Sequence, residues 1–299
     1  MIRDFCSQQF ASSVKELYGT VPVIDRLLLI EYPQPWNDEP ITDNKLPDAV
    51  NRFLQNCIDT GIFSRIFFIK NATSKQGVIR LYAINNRTMD PFTRMKIIGD
   101  YEELLIMDIP AFFSEDLEKG EIVDHQLYLV CTNGKVDKCC SKFGLPIYKQ
   151  LLSMDENVWQ CTHITGCRLA PNVVSVPYLH YYGHLVPEEV PELYRCMVNQ
   201  QIYLKKYRGR TCYSPAEQAA EYFLREALGD VEYQSMFFLD SSSEDDLFTV
   251  RFKLGKENLI HEVYLTAKTS ERKYIMNCNN VLKPINVFKL VAIENTNIS

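Results

Sequence analysis

The chain has 299 residues, ten of them cysteine, with 46% hydrophobic and 23% charged residues and a net charge of −6. That length holds one large core or two to three small ones, and the acidic balance argues against a nucleic-acid binder, which normally carries a basic face. The opening "MIRDFCSQQF" has an aspartate and no long apolar run, so it does not read as a secretory signal. No stretch reaches the roughly 18 uncharged apolar residues of a spanning helix. A reducing, cytoplasmic location is therefore expected, with neither membrane nor nucleic acid as partner. There, clustered cysteines point to metal or redox chemistry before structural disulfides.

Hydrophobic periodicity divides the chain into three segments, 1–120, 121–210 and 211–299, with no low-complexity tract and no repeat in the sequence. In the first, "RLLLIEY" (26–32) reads as a buried strand that stops at the prolines of "PQPW". A helix follows, with Leu46, Ala49, Val50, Phe53, Leu54, Cys57 and Ile58 on one stripe and Gly61 as its stop. "RIFFIK" (65–70), "VIRLYAI" (78–84) and "ELLIMDI" (103–109) read as strands, so the segment is an α/β layer.

The second segment opens with the strand "HQLYLVC" (125–131), which delivers Cys131 at its C-terminal end. A helix over "GLPIYKQLLS" and the strand "VWQCT" (158–162) come next. "NVVSV" and "HYYGHL" are expected to form a hairpin around Pro177, and a helix then carries Val190, Leu193, Tyr194, Met197 and Val198 on one face. This order, β-α-β, then a hairpin, then a helix, is that of a small thioredoxin-like domain.

The third segment begins at "SPAEQAAEYFLREALGD", where Ser214 and Glu217 make a capping box around Pro215 and Gly229 terminates the helix. Strands follow at "YQSMFFL", "LFTVRFKL" and "LIHEVYLTA", giving a helix on an antiparallel sheet. The acidic "SSSEDD" (241–246) between two of them reads as a solvated loop. The fold class expected is α/β, or α+β over the whole chain.

The chemistry concentrates in "CTNGKVDKCC" (131–140) and "CTHITGC" (161–167). Both sit where strands end and loops begin, the usual places from which ligands are presented. Cys131 and Cys140 are separated by eight residues, and His163 and Cys167 by three. Two soft pairs on two loops suit either Zn²⁺ or a [2Fe–2S] cluster. Zinc ribbons favour shorter spacers, so the eight-residue gap leans towards the cluster. Cys6, Cys57, Cys196, Cys212 and Cys278 are read as packing residues, because free cysteine is among the most buried residue types.

"CTNGKVDKCCSKFGLPIY" followed by "VWQCTHITGCRLAPNVVSVP…YYGHL" closely resembles the sucrase/ferredoxin-like family. "LLLIEYPQPWNDE" and "RGRTCYSPAEQAAEYFLRE" extend the resemblance over about residues 26 to 228. The resemblance implies a thioredoxin-like ferredoxin domain, flanked here by the N-terminal α/β segment and the C-terminal helix and sheet. It implies a [2Fe–2S] cluster held by a C-x8-C pair and an H-x3-H pair. These fall on Cys131, Cys140 and His163, with Asp137 favouring Cys140 over Cys139. Where the family has its second histidine this chain has Cys167, which makes the expected site three cysteines and one histidine.

The function so implied is electron transfer, by a carrier rather than an enzyme. With no Gly-rich dinucleotide fingerprint after a strand, its redox partner, a reductase or an acceptor protein, must be external. The alternative is a zinc-stabilised structural or interaction module using the same ligands. A thiol enzyme is disfavoured, because the chain has no C-x-x-C and adjacent cysteines make a poor redox couple. Sucrose cleavage is not credited, since nothing in the sequence sets two carboxylates across a sugar-sized cleft.

Overall fold

A computed structural model of the chain describes residues 5–75, 77–87, 90–114, 121–255 and 259–297. The helices are α1 (Cys6–Ser13), α2 (Asp48–Asp59), α3 (Ile109–Phe112), α4 (Lys138–Leu152), α5 (Val190–Val198) and α6 (Pro215–Leu228). The strands are β1 (Arg26–Glu31), β2 (Arg65–Lys70), β3 (Ile79–Asn85), β4 (Phe92–Ile98), β5 (Glu121–Ile122), β6 (Leu127–Cys131), β7 (Val158–Cys161) and β8 (Val173–Val176). They continue as β9 (His180–Tyr182), β10 (Tyr207–Arg210), β11 (Met236–Glu244), β12 (Leu247–Leu254), β13 (Leu259–Thr269), β14 (Tyr274–Ile275), β15 (Leu282–Lys283) and β16 (Asn286–Asn297). The fold is mixed α/β. No helix among the described residues is long and apolar enough to cross a membrane.

The chain divides into two compact units. One, called central here for its place in the sequence, is Ile24–Thr165 with Ala170–Leu179; the terminal unit is Met1–Val23, Gly166–Leu169 and His180–Ser299.

In the central unit the strand order is β8-β6-β7-β2-β1-β3-β4-β5. β1 runs parallel to β2 and β6 parallel to β7, while β3 is antiparallel to β1 and β8 antiparallel to β6. Each half is thus a β-α-β-β motif, with α2 or α4 as the crossover between its parallel strands. The β6-α4-β7-β8 half has the connectivity of a thioredoxin-like domain. The two halves meet where β2 pairs antiparallel with β7 through Ile69↔Cys161, which relates them by a pseudo-twofold. Both β1 and β6 are apolar on either parity and buried almost throughout, as parallel strands covered on both faces must be. Val50, Leu54 and Cys57 of α2 pack on Leu28, Ile30, Ile66, Phe68, Leu81 and Ala83, which lie on one face of the sheet.

The terminal unit contains the antiparallel sheet β11-β12-β13-β16. On it lies α6, with Ala219, Ala220, Phe223 and Leu224 against Met236, Val250, Phe252, Val263 and Leu265. Ser214 and Glu217 do form the capping box, and Gly229 closes the helix at φ 67°. Glu221 and Arg225 form a buried ion pair at 3.0 Å, and Tyr207 Oη donates to Glu221 at 2.9 Å.

Three expectations are corrected. "ELLIMDI" is not a strand: Tyr101–Ile106 is a 3₁₀ helix and α3 follows. Asp100 Oδ1 accepts from Glu102 N while Glu103 Oε1 accepts from Asp100 N, and this capping chemistry starts a helix despite the apolar run. "SSSEDD" is not all loop, because β11 continues to Glu244 and only Asp245 and Asp246 turn. The helix after Cys131 begins at Lys138, six residues before "GLPIY", because Asp137 caps it.

Candidate metal centre

The site is assembled at the strand ends of the second β-α-β-β half. β6 finishes at Cys131, which is 1% exposed and pairs in register with Cys161 of β7. Thr132, Asn133 and Gly134 lead away from β6. Asn133 Oδ1 accepts from Lys135 N at 3.1 Å, and its Nδ2 donates to the Asn37 carbonyl at 3.0 Å. The cysteine loop is thereby tied to the "PWND" stretch of the first half. Asp137 then accepts from Cys139 N at 2.8 Å as the N-cap of α4. That cap places Cys140 in the first helical turn, facing inward and fully buried.

From β7 the chain passes through Thr162, whose hydroxyl accepts from Phe68 N at 3.1 Å, to His163. The Sγ atoms of Cys131 and Cys140 and a ring nitrogen of His163 all lie within 4.8 Å of one another. Cys140 Sγ is 3.9 Å from His163 Nδ1. The two cysteines are buried and the imidazole is half-buried.

Gly144 is what lets α4 approach so closely. A Cβ there would fall 2.2 Å from the Cys131 carbonyl oxygen.

Three of the four ligands expected from the sequence therefore converge. The fourth, Cys167, starts a 3₁₀ turn (Cys167–Leu169) in the terminal unit and is 7% exposed. Gly166 before it has φ 78°, and a Cβ on it would meet Arg208 Nη2 at 2.8 Å. The sequence reading missed Asn133 and Gly144. Asn-Gly after a strand is a turn signal that could have pointed to the first. A glycine inside an apolar helix face hints at close approach without saying to what.

The electrostatics sort the thiols. A hydrogen bond from Cys140 holds the Cys131 thiol well below the usual cysteine range, against the opposing effect of burial, with help from His163 and the Ile164 N–H. Cys161, directly opposite, is pushed well above that range by burial and by the charge of Cys131. Of the two adjacent strand-end sulfurs, Cys131 is thus the more acidic, and the thiolate is the form that ligates. A thiolate, a second thiol and an imidazole at this spacing form a soft donor set that fits a thiophilic metal.

The sucrase/ferredoxin-like family model matches residues 17–209. The chain belongs to the sucrase/ferredoxin-like family. The matched span takes in both cysteine motifs and every residue of the three-member group. No curated protein matches the chain. Among solved structures, a thioredoxin-like [2Fe–2S] ferredoxin from Aquifex aeolicus aligns at 15% identity and a TM-score of 0.26, covering 29% of this chain and 94% of that one. In this member of the sucrase/ferredoxin-like family, Lys135 and Lys138 are exposed beside the motif that carries Cys140.

Proposed function

We propose that the protein is an electron carrier whose [2Fe–2S] cluster is held by Cys131, Cys140, His163 and, by the H-x3-C spacing, Cys167. The observation that carries this reading is the convergence of two cysteine sulfurs and one imidazole nitrogen within 4.8 Å at buried strand ends. Membership of the family supports it. When bound, such a cluster supplies one-electron transfer.

The chain's own residues set the terms. Asp137 and Gly144 fix Cys140 and Cys131 on the backbone, so neither ligand has to be ordered when metal arrives. The thiol of Cys131 is held below the usual cysteine range, which lowers the cost of binding a cation. Three thiolates and one imidazole give a lower reduction potential than a site with two of each, since histidine ligation raises it. With His163 Nδ1 turned towards the sulfurs, Nε2 is the atom left to take up a proton. Reduction would then couple to protonation, with a potential that moves by up to about 59 mV per pH unit. The exposed Lys135 and Lys138 suit an acidic redox partner, which must supply or accept the electron.

Variants test the assignment. Cys131→Ser and Cys140→Ser are expected to lose more than nine-tenths of bound iron and the visible absorbance. His163→Cys is expected to keep the colour while losing the pH dependence of the potential. Serine variants that keep full iron content would refute the ligand set. Zinc bound at the same residues without sulfide would make the protein a structural module instead.

A further inference from the structure

Two cysteines from opposite ends of the sequence meet within the terminal unit. Cys6 is the first residue of α1 and is fully buried, while Cys278 lies half-buried in a turn shortly after β14. Their sulfurs are 3.7 Å apart, with the Cys278 S–H donating towards Cys6.

The elements around them hold this approach. On α1, Phe10 stands one turn along from Cys6 and so shares its face. Phe10 meets Tyr274 edge-on at 5.9 Å, and Tyr274 is four residues before Cys278. Phe10, Val14 and Leu17 bury themselves with Leu169, Tyr274 and Ile285. The turn that carries Cys278 is just as determined. β14 pairs with β15 through Tyr274↔Lys283 and Ile275↔Leu282. Met276 N donates to the Val281 carbonyl at 2.8 Å, and Asn277 Oδ1 accepts from both Asn279 N and Val281 N. An anchored helix face and a closed hairpin thus present one sulfur each. The sulfurs need to close by only about 1.7 Å to reach disulfide bonding distance.

We infer that Cys6 and Cys278 form a redox-active thiol pair, a modification site whose oxidant is a low-molecular-weight disulfide. Exposure sets the order of events. The thiolate of Cys278, the reachable sulfur, attacks one sulfur of the small disulfide RSSR; a Cys278–S–S–R bond forms and RS⁻ leaves. The thiolate of Cys6, sealed from outside reagents, then attacks the Cys278 sulfur and expels the second RS⁻. The two protein thiols give up two protons and two electrons, and RSSR takes both and departs as two RSH. The product ties residue 6 to residue 278 and locks α1 onto the β14–β15 hairpin. Thiol reduction releases it. This site shares no residue with the proposed metal ligands.

The test treats the full-length protein with oxidised and reduced glutathione at graded ratios, quenches by alkylation and maps peptides without reduction. A peptide joining Cys6 to Cys278 is expected, reversible with dithiothreitol. Cys6→Ser is expected to stop at Cys278 carrying a single glutathione, and Cys278→Ser to leave Cys6 unmodified. Oxidised wild type is expected to resist proteolytic cutting near α1 several-fold longer than reduced protein. The inference is overturned if no Cys6–Cys278 peptide forms at any ratio, or if Cys6 reacts when Cys278 is serine. Should Cys6→Ser fail to fold, the peptide map of the wild type decides the matter, and Cys6→Ala, which keeps an apolar side chain there, supplies the trapping experiment.

Discussion

Cys131, Cys140 and His163 owe their meeting to backbone features that carry no metal chemistry themselves. The strand end at Cys131, the Asp137 cap and the exit from β7 after Thr162 each aim one donor. Gly144 makes the aim possible, because the atom its Cβ would strike is a backbone carbonyl that cannot swing aside. Gly144→Ala is therefore expected to push α4 off β6, at a cost of about 1–3 kcal/mol, and to weaken metal binding. Urea unfolding together with metal content checks this; unchanged values for both would contradict it. At this scale the sequence was informative about donor types and their spacing. It singled out Cys131 over Cys161, its partner in register on the next strand, only through the resemblance and its C-x8-C pair, with no physical distinction between the two thiols. That distinction arises from which thiol has Cys140 and His163 beside it, a property of the folded chain.

Element by element, capping chemistry was the most legible signal and also the one overlooked. Ser214, Glu217 and Gly229 bound α6 as their types demand. The same acid-capping logic at Asp100 and Glu103 was outweighed by the apolar "ELLIMDI", because short apolar runs fit strand and helix alike. The elements of the terminal unit also carry a pH dependence. His180 of β9 is buried against the rings of Tyr207 on β10 and Tyr233 at 5.7 and 4.3 Å. Burial holds its imidazole well below the usual histidine range, and Arg210 and Arg225 add to the effect. Glu221, across from both through its pair with Arg225, keeps this layer from being purely cationic. The folded protein thus keeps His180 neutral where the unfolded chain would protonate it. Its contribution is fully present above about pH 6.5 and is lost as pH falls below that, by at most about 1.4 kcal/mol per pH unit. Unfolding free energies at pH 7.5, 6.5 and 5.5 should show this fall in wild type, and His180→Gln should flatten it. Parallel slopes for the two proteins would sink the assignment.

Over the whole molecule, the central unit is built from one β-α-β-β plan used twice. Aligning the registers Glu31↔Ile69 and Cys131↔Cys161 places Glu31 where its counterpart carries Cys131. Glu31 is fully buried and accepts from Arg80 N and from Arg80 Nη1, each at 3.0 Å through Oε2. The first half closes its strand end with an ion pair, while the second offers thiols and an imidazole there. This explains why no repeat was visible in the sequence. The halves share hydrogen-bonding topology, which many sequences satisfy, and differ in the residues that carry chemistry. The mixed α/β class was readable from periodicity, whereas the chain folds into two compact units and the sequence reading had three segments. The pairing of β2 with β7 was not, since it joins strands 90 residues apart and leaves no local trace.

A [2Fe–2S] cluster on Cys131, Cys140, His163 and Cys167, as proposed, would colour the protein. The most direct measurement is the absorption spectrum of anaerobically purified protein, with iron, acid-labile sulfide and zinc quantified on the same sample. The proposed cluster is expected to show visible charge-transfer bands that bleach on reduction, with near-equal iron and sulfide at about two of each per chain. A colourless protein carrying one zinc and no sulfide would contradict it.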